Sequence, residues 1–146
     1  MLVGISPLVG PDLLATLSRM GHGDKLVLAD AHFPADSVGA RVLRADGLRI
    51  PDLLDGILPL IALDAHVPDP IVMMAAVEGD HLDPQVHQRY REVIERHHPS
   101  AGATIFIARF DFYDRARRSF AVLATGETAT YGNIIIKKGV TPIRAP

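Results

Sequence analysis

Apolar runs of strand length alternate with segments of helical period along this chain, and that alternation confines it to an α/β arrangement. Residues 25–29, 104–108, 120–124 and 133–137 read as strands. The run 71–77 is continuous rather than alternating, as expected of a central strand buried on both faces. Between the strands come helical patterns. Gly10-Pro11-Asp12 opens the first, carried by Leu13, Leu14, Leu17 and Met20, with Gly21 placed to end it in a left-handed conformation. Pro51 opens the second, with an apolar face of Leu53, Leu54, Ile57, Leu58 and Ile61 that Pro59 should kink or shorten. Pro84 opens the third, lined by Val86, Tyr90, Val93 and Ile94 and ended by His97-His98-Pro99; a short helix is expected over 111–118. Residues 31–41 read as loop, and 43–47 as a short strand or bend closed by a turn. The brief link between the last two strands predicts an antiparallel pair, so the sheet is expected to be mixed but largely parallel.

A length of 146 residues fits one domain spanning 1–146, with room for a sizeable core. The net charge of -2 comes with scattered basic residues, which gives no electrostatic grip on nucleic acid or anionic lipid. There are no cysteines, so disulfides, thiolate catalysis and cysteine-ligated metal are excluded. The first residues lack the basic and apolar regions of a secretory signal, and no apolar run approaches the ~20 residues of a membrane span. The expectation is a cytoplasmic protein with neither a nucleic-acid nor a membrane partner.

Polar residues gather at strand ends. Gly21-His22-Gly23-Asp24 places a histidine, able to trade a proton near neutral pH, in a turn before the first strand, and Asp30 stands where that strand runs out. Glu78 and Arg109 close two further strands, and Tyr131-Gly132-Asn133 precedes the last. Ligands of open α/β sheets bind beyond the carboxyl ends of strands. A carboxylate, a guanidinium, a hydroxyl and an amide there suit a small polyhydroxylated molecule. On the residues alone each has a plainer reading. Gly21-His22-Gly23 serves equally as a helix-stop turn, Asp30 as a loop cap, Arg109 as a surface ion-pair partner, Tyr131-Gly132-Asn133 as a turn, and Glu78 as a solvated strand top. His22, Asp24, Asp30 and His32 are all metal-ligand types but lack a zinc spacing, and His97-His98 fits a helix dipole better than ligation. No phosphate-binding Gly-rich loop and no Gly-x-Ser-x-Gly elbow occurs.

Longer blocks carry a resemblance. Gly4-Ile5-Ser6-Pro7-Leu8, Met20-Gly21-His22-Gly23-Asp24, Leu28-Ala29-Asp30-Ala31-His32-Phe33-Pro34 and Arg44-Ala45-Asp46-Gly47 come first. Val72-Met73-Met74-Ala75-Ala76-Val77-Glu78-Gly79-Asp80, Phe112-Tyr113-Asp114-Arg115-Ala116 and Tyr131-Gly132-Asn133 through Val140 follow in order. With them the chain resembles the fucose mutarotase / ribose pyranase family over nearly its whole length. The resemblance implies a three-layer α/β/α domain, a decameric ring with sites near subunit boundaries, and a cofactor-free enzyme interconverting sugar anomers. It implies His22 as proton donor and Asp30, Arg109, Tyr131, Gly132 and Asn133 as sugar contacts. Gly-His-Gly-Asp at 21–24, Arg109, His32-Phe33-Pro34 and Met73-Met74 look like the fucose branch; the ribose branch usually has Gly-His-Thr-Asp and a histidine near 109.

Mutarotation needs a base on the anomeric hydroxyl and an acid on the ring oxygen, with no metal or nucleotide. The expected assignment is His22 as acid, with Tyr131 or Asp30 assisting the second transfer. Exchange between the pyranose and furanose forms of D-ribose uses the same open-chain intermediate, so pyranase activity stays an alternative. A non-catalytic sugar-binding module is the other. Residues 134–136, strongly apolar, are a further candidate for part of a subunit interface.

Overall fold

A computed structural model describes residues 1–143; the final residues of the expected 1–146 domain lie outside the described residues. Its centre is one six-stranded sheet, ordered β2-β5-β1-β6-β3-β4. The strands are β1 (Lys25–Ala29), β2 (Val42–Ala45), β3 (Ile71–Met74), β4 (Ile105–Ile107), β5 (Ala121–Thr125) and β6 (Ile134–Lys137). β6 lies between β1 and β3 and runs antiparallel to both, while the pairs β1–β5, β2–β5 and β3–β4 are parallel. The mixed sheet therefore has one reversed strand. The last two strands do run in opposite directions, but β1 separates them and they do not pair.

The apolar runs are continuous because both sheet faces are covered. Leu26, Leu28, Ile71, Met73, Ile134 and Ile136 face one core, closed by α1 (Pro11–Arg19), α3 (Ile50–Ile57) and α4 (Pro84–His97). Val27, Ala29, Val72, Met74, Val122 and Ile135 face the other, closed by α2 (Ala35–Val38) and α5 (Arg109–Arg117). Burying each large aliphatic side chain contributes roughly 1.5–3 kcal/mol before entropy is counted. This is a three-layer α/β/α arrangement. Ile134, Ile135 and Ile136 are all in the core, which removes them as an interface. The apolar edge is instead β4, where Ile105 and Phe106 are exposed.

Local chemistry explains where elements stop. Pro59 ends α3 by converting its continuation into a 3-10 turn, Leu58–Leu60. α4 is capped by the Asp83 carboxylate, which accepts from the Gln85 amide at 2.9 Å. His97 and His98 at its other end contact Asp55 and the Leu58 carbonyl, fixing α4 to α3. Gly21 does not end α1 as expected: the helix stops at an extended Met20, and the left-handed residue of the following turn is Gly23, at φ 87°. α2, four residues long, falls within the expected loop. Among the described residues no helix is long and apolar enough to cross a membrane.

Candidate active site

The five strands of common direction all end at one sheet edge, and reversed β6 begins there. That topology brings residues distant in sequence to one place. The Asn133 side chain grips Asp30 at both ends: its Oδ1 accepts from the Asp30 amide at 2.7 Å, and its Nδ2 donates to Oδ2 of Asp30 at 2.9 Å. The His32 amide donates to Oδ1 of Asp30 at 2.9 Å. Asp30 and Asn133 are both buried. Burial pushes the Asp30 carboxyl upward, opposed by the His32 amide and the Asn133 side chain. Asp30 thus holds its orientation in a partly desolvated place, suited to accept from a ligand hydroxyl.

A cavity of about 210 Å³ opens over this pair, with Phe33, Met74, Arg109, Tyr113 and Tyr131 in its walls. Arg109 is the first residue of α5 rather than a strand end, because β4 stops at Ile107. Its Nε donates to the Tyr113 hydroxyl at 3.0 Å, one turn along, which steadies the guanidinium at the rim. Tyr131 has φ 61°, a left-handed conformation that non-glycine residues rarely take and that concentrates at functional sites. The Tyr131 hydroxyl donates to Oδ2 of Asp80 at 2.8 Å. Gly132 is required by close approach, since a Cβ there would lie 2.9 Å from the Ala129 carbonyl and 3.0 Å from the Tyr90 hydroxyl. Buried Tyr90 of α4 donates to the Gly132 carbonyl at 2.8 Å and braces the loop from beneath. Asp30, Arg109, Tyr131 and Asn133 thus share one cavity. Glu78 does not join them: β3 ends at Met74, and Glu78 is exposed in the turn beyond.

His22 lies at the opposite edge. It precedes β1 whereas Asp30 follows it, and five strand residues at roughly 3.3 Å each put about 16 Å between the two positions. The His22 turn is closed by the Gly21 amide on Oδ2 of Asp24 at 2.8 Å and tied to the end of β6 by the Gly23 amide on the Lys138 carbonyl at 2.8 Å. Nε2 of His22 lies 3.3 Å from Oδ2 of Asp64, whose side chain is only 2% exposed against 48% for the histidine. Asp64 is held by its own amide on the Lys137 carbonyl and by the His66 amide on its Oδ1 at 2.9 Å. That His66 amide, then the His22 ring, keeps the Asp64 carboxyl below the ordinary carboxylate range. Gly139 lets the segment seat, because a Cβ there would lie 2.5 Å from the Leu63 carbonyl. Asp64 went unnoticed in the sequence; its one local signal was the Asp64-Ala65-His66 spacing of an Asx turn. The metal-ligand types His22 and Asp24 sit at one edge and Asp30 and His32 at the other; among the described residues no three His, Asp or Glu side chains converge for a metal.

β6 thus joins two polar clusters: a cavity where the strand starts and a histidine–carboxylate pair where it ends. Residues 3–141 match the RbsD / FucU transport protein family. The chain belongs to that family. Among solved relatives of the RbsD / FucU family, a fucose mutarotase from Streptococcus pneumoniae, crystallised with L-fucose, is 45% identical, with 97% of this chain and 100% of that one covered and a TM-score of 0.92. FucU from Bifidobacterium longum is 40% identical over 94% of this chain and 99% of its own, with a TM-score of 0.90. RbsD of Bacillus subtilis, crystallised with D-ribose, is 19% identical over 97% and 99% of the two chains at a TM-score of 0.74, a likeness of fold alone.

Proposed function

We propose that this chain is an L-fucose mutarotase, a cofactor-independent isomerase that interconverts the α and β anomers of the free sugar. The observation that carries this reading is the 45% identity to the fucose mutarotase crystallised with L-fucose, along nearly the whole of both chains. The cavity chemistry supports it. Asp30 accepts from ring hydroxyls, Arg109 and the Tyr131-Gly132-Asn133 segment supply polar contacts, and Phe33 and Met74 offer an apolar wall to the methyl group of a 6-deoxy sugar.

In this reading His22 is the acid toward the ring oxygen. The Asp64 contact occupies Nε2, orients the ring and leaves Nδ1 for proton exchange. With about 16 Å of β1 between the two clusters, His22 reaches a cavity on a neighbouring copy of the chain. Ring opening at C1 gives the aldehyde, rotation about C1–C2 exposes its other face, and closure returns the second anomer. Tyr131 or Asp30 serves the anomeric hydroxyl. The same reading has residues 1–146 acting as one domain, in the cytoplasm, within a decameric ring. The exposed Ile105, Phe106 and Phe110 beside the β4 edge suit self-association.

Saturation-transfer NMR on L-fucose and D-ribose tests the function. Wild-type protein should accelerate anomeric exchange of L-fucose, and His22→Ala should return it to the buffer rate. A wild-type protein that leaves exchange at the buffer rate is a sugar-binding module, and one faster on D-ribose than on L-fucose is a pyranase.

A further inference from the structure

The open question in the mechanism is where the anomeric proton goes, and the geometry around Tyr131 answers it. We propose that Asp80 is the positioning residue behind the second proton transfer, acting through Tyr131, an inference that rests on the mutarotase reading. The Tyr131 hydroxyl proton is directed onto Oδ2 of Asp80 at 2.8 Å, so the phenolic oxygen is left with lone pairs for a sugar hydroxyl. A tyrosine whose own proton is already committed to a carboxylate meets a sugar hydroxyl as acceptor, not as donor.

Both ends of this hydrogen bond are fixed by backbone. Oδ1 of Asp80 accepts from the His81 amide at 2.8 Å, and the Asp80 amide closes a turn on the Val77 carbonyl at 3.0 Å around left-handed Gly79. One carboxylate oxygen is thereby occupied and the other aimed. On the tyrosine side, the left-handed backbone at Tyr131 and the Tyr90 bond to Gly132 hold the ring in the wall of one cavity, and its hydroxyl reaches a carboxylate that lines a second. The sugar-sized one contains Asp30 and Arg109; the other, of about 710 Å³, contains Asp80, Arg49 and Glu127. A surface tyrosine with no task has no need of a strained backbone and a dedicated carboxylate.

The relay balances. The anomeric O–H bond breaks and its proton passes to the Tyr131 oxygen, while the Tyr131 proton passes to Oδ2 of Asp80. The electron pair left on the anomeric oxygen forms C1=O, the C1–O5 bond breaks, and O5 takes a proton from the imidazolium of His22. Closure on the other aldehyde face reverses every transfer, so the protein returns to its starting protonation.

Asp80→Asn is the informative substitution, because its amide oxygen still accepts from Tyr131 but no longer takes up the proton. Exchange on L-fucose is expected to fall about 10²-fold or more in kcat, with KM changed less than about threefold, as for loss of a group acting in proton transfer. Tyr131→Phe should fall comparably, and the double variant no further than the worse single one. Glu78→Gln, exposed and outside both cavities, should match wild type. Wild-type turnover in Asp80→Asn, or additive losses in the double variant, overturns the relay while leaving the mutarotase reading intact. That reading fails separately, if wild-type protein itself does not accelerate exchange.

Discussion

Asp30, in the cavity wall, and Asp64, behind His22, are carboxylates that differ because their surroundings differ. Asp30 is buried against backbone amides and an asparagine, and burial raises its pKa; Asp64 is held low, first by the His66 amide and then by His22. For Asp64 the linkage has a definite sign. Its proton binds less readily in the folded chain, so its contribution is complete above the ordinary carboxylate range and is lost as pH falls through its lowered folded-state value. Asp64→Asn should therefore unfold with a flatter pH dependence in that acid range, measured by urea titration. It should also slow fucose exchange by about 10²-fold or more through misdirected His22, with little change in KM. Undiminished exchange in Asp64→Asn would remove the carboxylate from the acid's machinery. The role of Asp64 was not legible in the sequence, because its partner lies on a turn far away in the chain and only the register of β6 brings them together. His22, Asp30 and Asn133 were visible as residues, but the opposition of His22 to the other two was not, since strand direction decides it.

At the scale of elements, burial made the strands readable. The runs in β1, β3, β5 and β6 are apolar almost throughout because helices cover both faces, and their limits were recovered to within a residue except in β3, expected to run to Val77 but ending at Met74. What escaped was set by contacts rather than by pattern. The four-residue α2 packs Ala35 and Val38 into the second core yet has no periodicity long enough to see. Arg109 was placed at the end of a strand, but α5 begins there and turns the guanidinium to the cavity rim. Antiparallel neighbours were expected for the last two strands, and β1 took the place between them. β6 is the element on which most depends, since it pairs with β1 and β3 and carries Asn133 at one end and the Asp64 anchor at the other. Ile135, 2% exposed and opposite Val27 and Val72, fills the second core. Ile135→Ala should cost about 2–5 kcal/mol in denaturant unfolding, the range of isoleucine truncation in a packed core. A loss under about 1 kcal/mol would mean that this part of the core is loosely packed.

At the scale of the whole molecule, the proposed function puts a sugar-sized cavity at one edge of the sheet and its acid at the other, which would leave a monomer incomplete. Closed rings solve this directly, because a head-to-tail contact can bring the His22 edge of one copy over the cavity of the next at every junction. On this proposal activity is a property of pairs of chains. His22→Ala retains the cavity and loses the acid, whereas Tyr131→Phe retains the acid and disables the cavity. The most direct measurement is the L-fucose exchange rate, by saturation-transfer NMR, of assemblies in which these two variants are co-expressed in equal amounts. Each variant alone should run near the buffer rate, and the mixed assemblies should recover roughly a quarter of wild-type activity, the share of junctions where an intact cavity meets an intact His22. Mixed assemblies no faster than the two variants alone would contradict a site shared between copies of the chain.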